Sequence, residues 1–173
     1  MDELNEEVFV KVSEEEINFK TFSNWHPLSK QGAGNLFIGY VREENLGRQV
    51  TGIEYDCYSP MAIKVLNEIC FEAKKIFGDE TKIYVQHRFG YLKVGEASVA
   101  VFATSKHRHE SYEASRYVIE ELKTRVPIWK KEFYTDGETD WVRGHVLCQH
   151  KKVSYEKVRS TSCGGTVHSH EAR

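Results

Sequence analysis

Apolar and polar positions along this chain follow two different periods, and the switches between them mark its elements. Val8-Phe9-Val10-Lys11-Val12 has the β-branched and aromatic content of a first strand. The polar stretch from Ser13 to Lys30 leaves room for one short helix. Gly32-Ala33-Gly34 marks a bend, after which Asn35 to Val41 returns to strand composition. Glu43 to Arg48, with Asn45 and Gly47, has the make-up of a hairpin loop, so Val50 to Tyr58 reads as the partner strand.

At Ser59-Pro60 the period changes. Serine suits a helix cap and proline the first turn. Met61, Val65, Leu66, Ile69, Ala73, Ile76 and Phe77 then recur at helical spacing until Gly78, which predicts a core-facing stripe that includes Met61. Two more strands, Lys82 to His87 and Ala97 to Ala103, flank the connection from Phe89 to Glu96. A second helix is expected from near Ser105, with Tyr112, Ser115, Ile119, Leu122 and Val126 on its buried face. It ends at Pro127, because the residue before proline avoids the α region. Ile128 to Tyr134 and Thr139 to Val142 close the chain's ordered part as a hairpin around Asp136-Gly137. Hairpin connections outnumber crossovers, so the expected class is α+β, with a mostly antiparallel sheet and two main helices.

The 173 residues suit one domain, and 40% apolar content is enough for a core. No apolar run approaches the ~18–20 residues of a membrane span. The start, MDELNEEVFV, is acidic where a signal peptide is basic. The expected setting is therefore cytoplasmic, with no membrane partner. The net charge of −2 conceals an asymmetry: residues 1–16 sum to −6, residues 17–142 balance, and residues 143–173 sum to +4. This divides the chain into an acidic segment 1–16 with the first strand, an α+β domain 17–142, and a basic polar tail 143–173 that is expected to be mobile. A nucleic-acid binder would carry its excess cations on the folded part. Here they lie in the tail, and no nucleic-acid partner is expected.

Cys57 and Cys70 lie in apolar patterns and read as small core residues. With Cys148 and Cys163 they form no C-x-x-C pair. The spacing of His145, Cys148 and His150, with Cys163, His168 and His170 beyond, fits no standard zinc module. No metal site is expected.

Three stretches carry candidate chemistry. Lys106, His107 and Arg108 stand where a strand hands over to a helix, whose unpaired N–H groups and positive dipole end repel cations and attract an anion. A solvated basic turn is the plainer account of the same residues. Lys123 falls in the last turn of that helix, where a cation also suits the dipole. Lys130 and Lys131 follow Trp129 on a strand and must face opposite sides of it, so one can enter a site while the other reaches solvent or Glu132. Arg42, at the end of the Asn35–Val41 strand, can grip a phosphate or carboxylate with two hydrogen bonds. His87-Arg88 repeats the basic pair at a strand end, where the arginine would brace the Gly90 turn.

Phe37-Ile38-Gly39-Tyr40-Val41-Arg42, the stretch from Tyr55 to Tyr58-Ser59-Pro60-Met61-Ala62, His87-Arg88-Phe89-Gly90, Ser105-Lys106-His107-Arg108, and Leu122-Lys123 with Val126-Pro127-Ile128-Trp129-Lys130-Lys131-Glu132 together resemble the large, catalytic subunit family of molybdopterin synthase. The resemblance covers about residues 30–142. It implies a fold of the α/β-hammerhead type and conversion of cyclic pyranopterin monophosphate into molybdopterin by sulfur transfer, without a cofactor. It implies a small ubiquitin-like partner whose C-terminal Gly-Gly thiocarboxylate supplies each sulfur, and a large-subunit homodimer within a heterotetramer. On the matching positions, Lys123 and Lys130 would be catalytic. Phe37, Arg42, His107, Arg108, Lys131 and Glu132 would join both lysines in holding the pterin substrate. A binding module without chemistry and a nucleic-acid-associated protein are the rival classes; the two lysines argue against the first and the neutral core against the second.

Overall fold

The structure, a computed structural model, describes residues 7–24 and 30–142. In chain order its elements are β1 (Val8–Ser13), α1 (Phe19–Asn24), β2 (Ala33–Tyr40), β3 (Glu44–Asn45), β4 (Arg48–Cys57) and α2 (Ser59–Phe77). There follow β5 (Lys82–Arg88), β6 (Gly90–Lys93), β7 (Ala97–Ser105), α3 (Arg108–Arg125), β8 (Ile128–Tyr134) and β9 (Thr139–Val142).

These strands form two sheets where the sequence suggested one. The first runs β1-β5-β7-β2, and the second β3-β4-β8-β9 with β6 also paired to β4. Every pairing is antiparallel except β1 with β5. All seven residues of β5 are buried, because helices cover both faces of its sheet. On one face Leu66, Ile69 and Cys70 of α2 meet Val118 and Leu122 of α3 over Ile83, Val85 and Val101. On the other, Phe22 of α1 packs edge-on against Tyr84 at 4.8 Å, and Phe9 stacks on the same ring at 4.6 Å. Each fully buried aliphatic side chain contributes about 1.5–3 kcal/mol. The second sheet closes its own core of Val41, Val50, Ile53, Leu92 and Tyr134.

The chain reaches β6 through Gly90, which holds a positive φ of 84°. At the other end of that pairing, where Gly52 of β4 lies opposite Lys93, a Cβ on Gly52 would fall 2.8 Å from the Leu92 carbonyl oxygen, so only glycine lets β4 and β6 pair there. Arg88 braces the far end of this connection: it pairs with Glu96 at 3.8 Å and its guanidinium donates to the Ala97 carbonyl at 3.5 Å.

Several local expectations change. The α2 cap is Tyr58, and Ser59 is already helical with its hydroxyl 3.5 Å from the Cys57 sulfur. Met61 and Ile76 are exposed, because α2 buries the narrower face Ala62, Leu66, Ile69, Cys70, Ala73 and Phe77. Cys70 is buried as expected, and that burial pushes its thiol pKa up to about 12; Cys57 is half-buried against the same core. Helix α3 begins at Arg108, three residues past Ser105, whose hydroxyl instead lies 3.2 Å from that of Thr81. Tyr112 is exposed, and Ser111 takes the inward position by donating its hydroxyl to the Ala103 carbonyl at 2.9 Å. No helix among the described residues is long and apolar enough to cross a membrane. The tail 143–173, with its histidines and Cys148 and Cys163, lies outside the described residues, as do residues 1–6 of the acidic start.

Candidate active site

Helix α3 and strand β8 are joined by the Val126-Pro127 corner. Proline ends the helix and sends the chain directly into the second sheet. Lys123, in the last turn of α3, and Lys130, near the start of β8, therefore stand on either side of that corner. Both line a cleft of about 490 Å³ at the junction of the two sheets and the C-terminal half of α3. Phe37 and Tyr40 of β2 and Arg42 just beyond it form one wall. Tyr55, His87 and Ser98 form the floor, from β4, β5 and β7.

The pairing registers explain why these residues meet. Tyr55 lies directly opposite Lys130 on β4 and β8, so both side chains share one face. Strand alternation then puts Glu132 on the Lys130 side and Lys131 on the other. Lys130 Nζ lies 3.0 Å from Glu132 Oε1. The sequence left Glu132 to the outward lysine; in the structure it partners the inward one. Lys131 instead lies over the rings of Phe133 and Trp141, at 5.3 and 5.9 Å from their centroids. Its expected place among substrate-binding groups is not supported by this chain's geometry, since it faces away from the cleft.

His107 and Arg108 also lie apart. They border a broad, open hollow of about 880 Å³ with Gly32, Ala33, Lys106, His109 and Glu110. His107 is the N-cap of α3 and uses no side-chain bond to cap it. Lys123 is fifteen residues along the same helix from Arg108, about 22 Å at 1.5 Å per residue. Within one chain, then, Phe37, Arg42, Lys123 and Lys130 converge, Glu132 stands behind Lys130, and the His107–Arg108 end is remote. A helix is rigid, so no side-chain motion can close that gap.

Of the cleft floor, Tyr55 and His87 stood in the sequence only as motif positions with no place in the site, and Ser98 was not singled out. Nothing there signalled that Tyr55 would face Lys130 or that Ser98 would lie beneath it, because both depend on strand register. Tyr55 contacts Ser98, whose hydroxyl donates to the Gly39 carbonyl at 3.2 Å. Burial chiefly raises the Tyr55 phenol pKa, so it remains a neutral hydroxyl. His87 is 4% exposed and meets Tyr55 edge-on at 5.3 Å. Its Nδ1 lies 2.7 Å from the Arg88 carbonyl oxygen, an acceptor, which assigns the proton to Nδ1 and leaves Nε2 as an acceptor. Burial lowers the His87 pKa to about 4, only partly opposed by that hydrogen bond.

This has a consequence for stability. A histidine kept neutral in the fold but free to charge when unfolded favours folding above its unfolded pKa of 6.5, and that contribution is lost as pH falls toward 4. Between pH 7 and pH 4.5 the native chain is expected to lose on the order of 2–3 kcal/mol more than His87→Gln, read from urea midpoints at each pH. Parallel stability curves for the two proteins would contradict it.

The arrangement suits an anionic guest. Arg42, Lys123 and Lys130 supply cations at the mouth, Phe37 a flat apolar surface, and the floor neutral hydrogen-bonding groups. Among the described residues no three histidine, cysteine or carboxylate side chains gather as metal ligands would.

Comparison with known proteins finds relatives of one family. Residues 12–125 match the family described as MoaE protein. A molybdopterin synthase catalytic subunit from Synechococcus elongatus is 51% identical over 123 residues, covering 71% of this chain and 74% of that protein. The crystal structure of molybdopterin synthase from Staphylococcus aureus superposes with a TM-score of 0.71 at 33% identity, over 79% of this chain and 97% of that one. A complex of subunits 1 and 2 of molybdopterin-converting factor from Helicobacter pylori shares the fold, with a TM-score of 0.62 at 19% identity, over 80% of this chain and 91% of that one.

Proposed function

Because this chain belongs to the MoaE family, that of molybdopterin synthase catalytic subunits, we propose that its Lys123–Lys130 cleft is where a pterin precursor receives its sulfur. The chain is an enzyme of molybdenum cofactor biosynthesis. Its substrate is cyclic pyranopterin monophosphate, and its sulfur donor the thiocarboxylate at the Gly-Gly end of a small ubiquitin-like subunit. The observation that carries the reading is the convergence of two lysines from either side of the Val126-Pro127 corner on one cleft with Arg42 and Phe37.

Each part of the cleft then has a task. Phe37 stacks against the pterin, and Arg42 binds the cyclic phosphate with two parallel hydrogen bonds. The thiocarboxylate sulfur attacks a carbon of the pterin side chain and displaces the oxygen there, which leaves as hydroxide and is protonated to water; water then cleaves the acyl–sulfur bond, so that the sulfur stays on the pterin as a thiol and the partner's acyl end leaves as a carboxylate. Negative charge passes from sulfur to carboxylate oxygen in this exchange. Lys123 and Lys130 stabilise it and transfer the protons. A large-subunit homodimer adds what one chain lacks: the His107–Arg108 helix start of one copy faces the Lys123 cleft of the other and completes the phosphate's cation shell.

The test is turnover by the purified chain, supplied with the cyclic pterin and a thiocarboxylated Gly-Gly partner. Dithiolene product is expected. Arg108→Ala should raise the dissociation constant for the pterin roughly 10- to 100-fold, the range for losing a hydrogen bond to a charged group. An unchanged constant would remove Arg108 from the site, and no product with the native chain would sink the reading altogether.

A further inference from the structure

Behind Lys130, the Glu132 carboxylate is 2% exposed and takes hydrogen bonds from three sides. Lys130 Nζ donates to Oε1 at 3.0 Å. Asn45 Nδ2 and the Tyr134 hydroxyl both donate to Oε2, at 2.7 and 2.8 Å. The division between the two oxygens matters. Rotation about a glutamate's last torsion is broad, so a single lysine bond would not fix the carboxylate plane. Two donors converging on Oε2 do fix it, and the direction in which Oε1 faces Lys130 follows.

These two donors are themselves held from outside the cleft. The Arg48 guanidinium lies 3.6 Å from the centroid of the Tyr134 ring. Arg48 in turn bonds Asp136 at 3.0 Å and Glu138 at 2.9 Å, in the turn that joins β8 to β9. Asn45 sits on the two-residue β3, in register with Arg48. A chain of contacts thus runs from two surface turns to the carboxylate beneath Lys130. Burial works to raise the Glu132 pKa, and the bonds from Tyr134, Lys130 and Asn45 outweigh it and hold the group below its ordinary value.

We propose that Asn45 and Tyr134 are positioning residues of the reaction: by locking Oε2 of Glu132 they aim Oε1, and with it the Lys130 ammonium, into the cleft. The proposal rests on the reading that Lys130 takes part in sulfur transfer. A purely structural role would lower stability without regard to Lys130. A positioning role acts only where there is an ammonium to aim.

A double-mutant cycle separates the two. Tyr134→Phe keeps the packed ring and removes one oxygen, and Asn45→Ala is the second, independent variant. Each is assayed with the thiocarboxylated partner in excess over a range of cyclic pterin concentrations, in the native and the Lys130→Ala backgrounds, followed over hours. In the native background each is expected to lower kcat roughly ten-fold with KM within about two-fold, since the lost bond was to a charged group. In the Lys130→Ala background the same substitutions should change the remaining rate by less than about two-fold. Where that remaining rate is too low to read, the fall in kcat with KM and melting temperature held decides in favour. Native kcat in both single variants, or equal losses in both backgrounds, would overturn the proposal. Near-normal kcat in Lys130→Ala alone would instead overturn the reading of Lys130, and the proposal with it.

Discussion

Replacing Lys123 by alanine is expected to stop product formation while leaving the fold and the partner complex in place. Lys123 is exposed on the last turn of α3, outside the buried face made by Ala114, Val118, Ile119 and Leu122. Its loss removes a favourable charge at the helix C-terminus, worth about 0.3–1 kcal/mol, and leaves that buried face intact. Melting should therefore move by only a few degrees. Chemistry should suffer far more. Removing a positioned proton donor or acceptor lowers a rate by about 10²–10⁴, and the charge that travels from sulfur to carboxylate in this transfer has Lys130 as its other lysine partner in the cleft. The measurement is dithiolene product per active site with thiocarboxylated partner in excess, alongside co-elution of the two proteins. Turnover near that of the native chain would remove Lys123 from the mechanism.

How much of this was legible in the sequence depended on the range of the interaction. Elements whose signals are local came through. The α2 stripe ended at Gly78, Pro127 ended α3, and the hairpin around Asp136-Gly137 formed as its turn residues required. What escaped was set by contacts far apart in the chain. β6 is four residues whose only strand signal is pairing with β4 from about forty positions earlier, made possible by the close approach at Gly52. Met61 looked like core by spacing, yet α2 is covered on one face only and Met61 falls off its edge.

The site divides in the same way. Lys123, Lys130, Arg42 and Phe37 were recognisable by residue type and motif. Tyr55 and His87 stood in motifs without a place in the site, and Ser98 went unmarked, because the β4–β8 and β5–β7 registers alone bring them beneath the lysines. The assignment of Glu132 to Lys130 depends on both being on one face of β8, a period-two fact that the sequence contained but that did not say which lysine faced inward. His107 and Arg108 were grouped with the lysines by resemblance. The length of α3 separates them within one chain.

That separation yields the second large expected effect and the most direct test of a shared site. Lys123→Ala protein keeps an intact His107–Arg108 helix start, and Arg108→Ala protein keeps an intact Lys123 cleft. The first is expected to be nearly inactive at any pterin concentration, and the second at concentrations well below its weakened binding constant. If one guest is held between the cleft of one copy and the helix start of the other, a mixed dimer contains one complete site. Random exchange of equal amounts makes half the dimers mixed, so activity should rise to roughly a quarter of the native value. Mixing after subunit exchange, with product formation measured against each variant alone, reads this directly. Recovery to about that level is the predicted result; a mixture no more active than the average of its two components would contradict it.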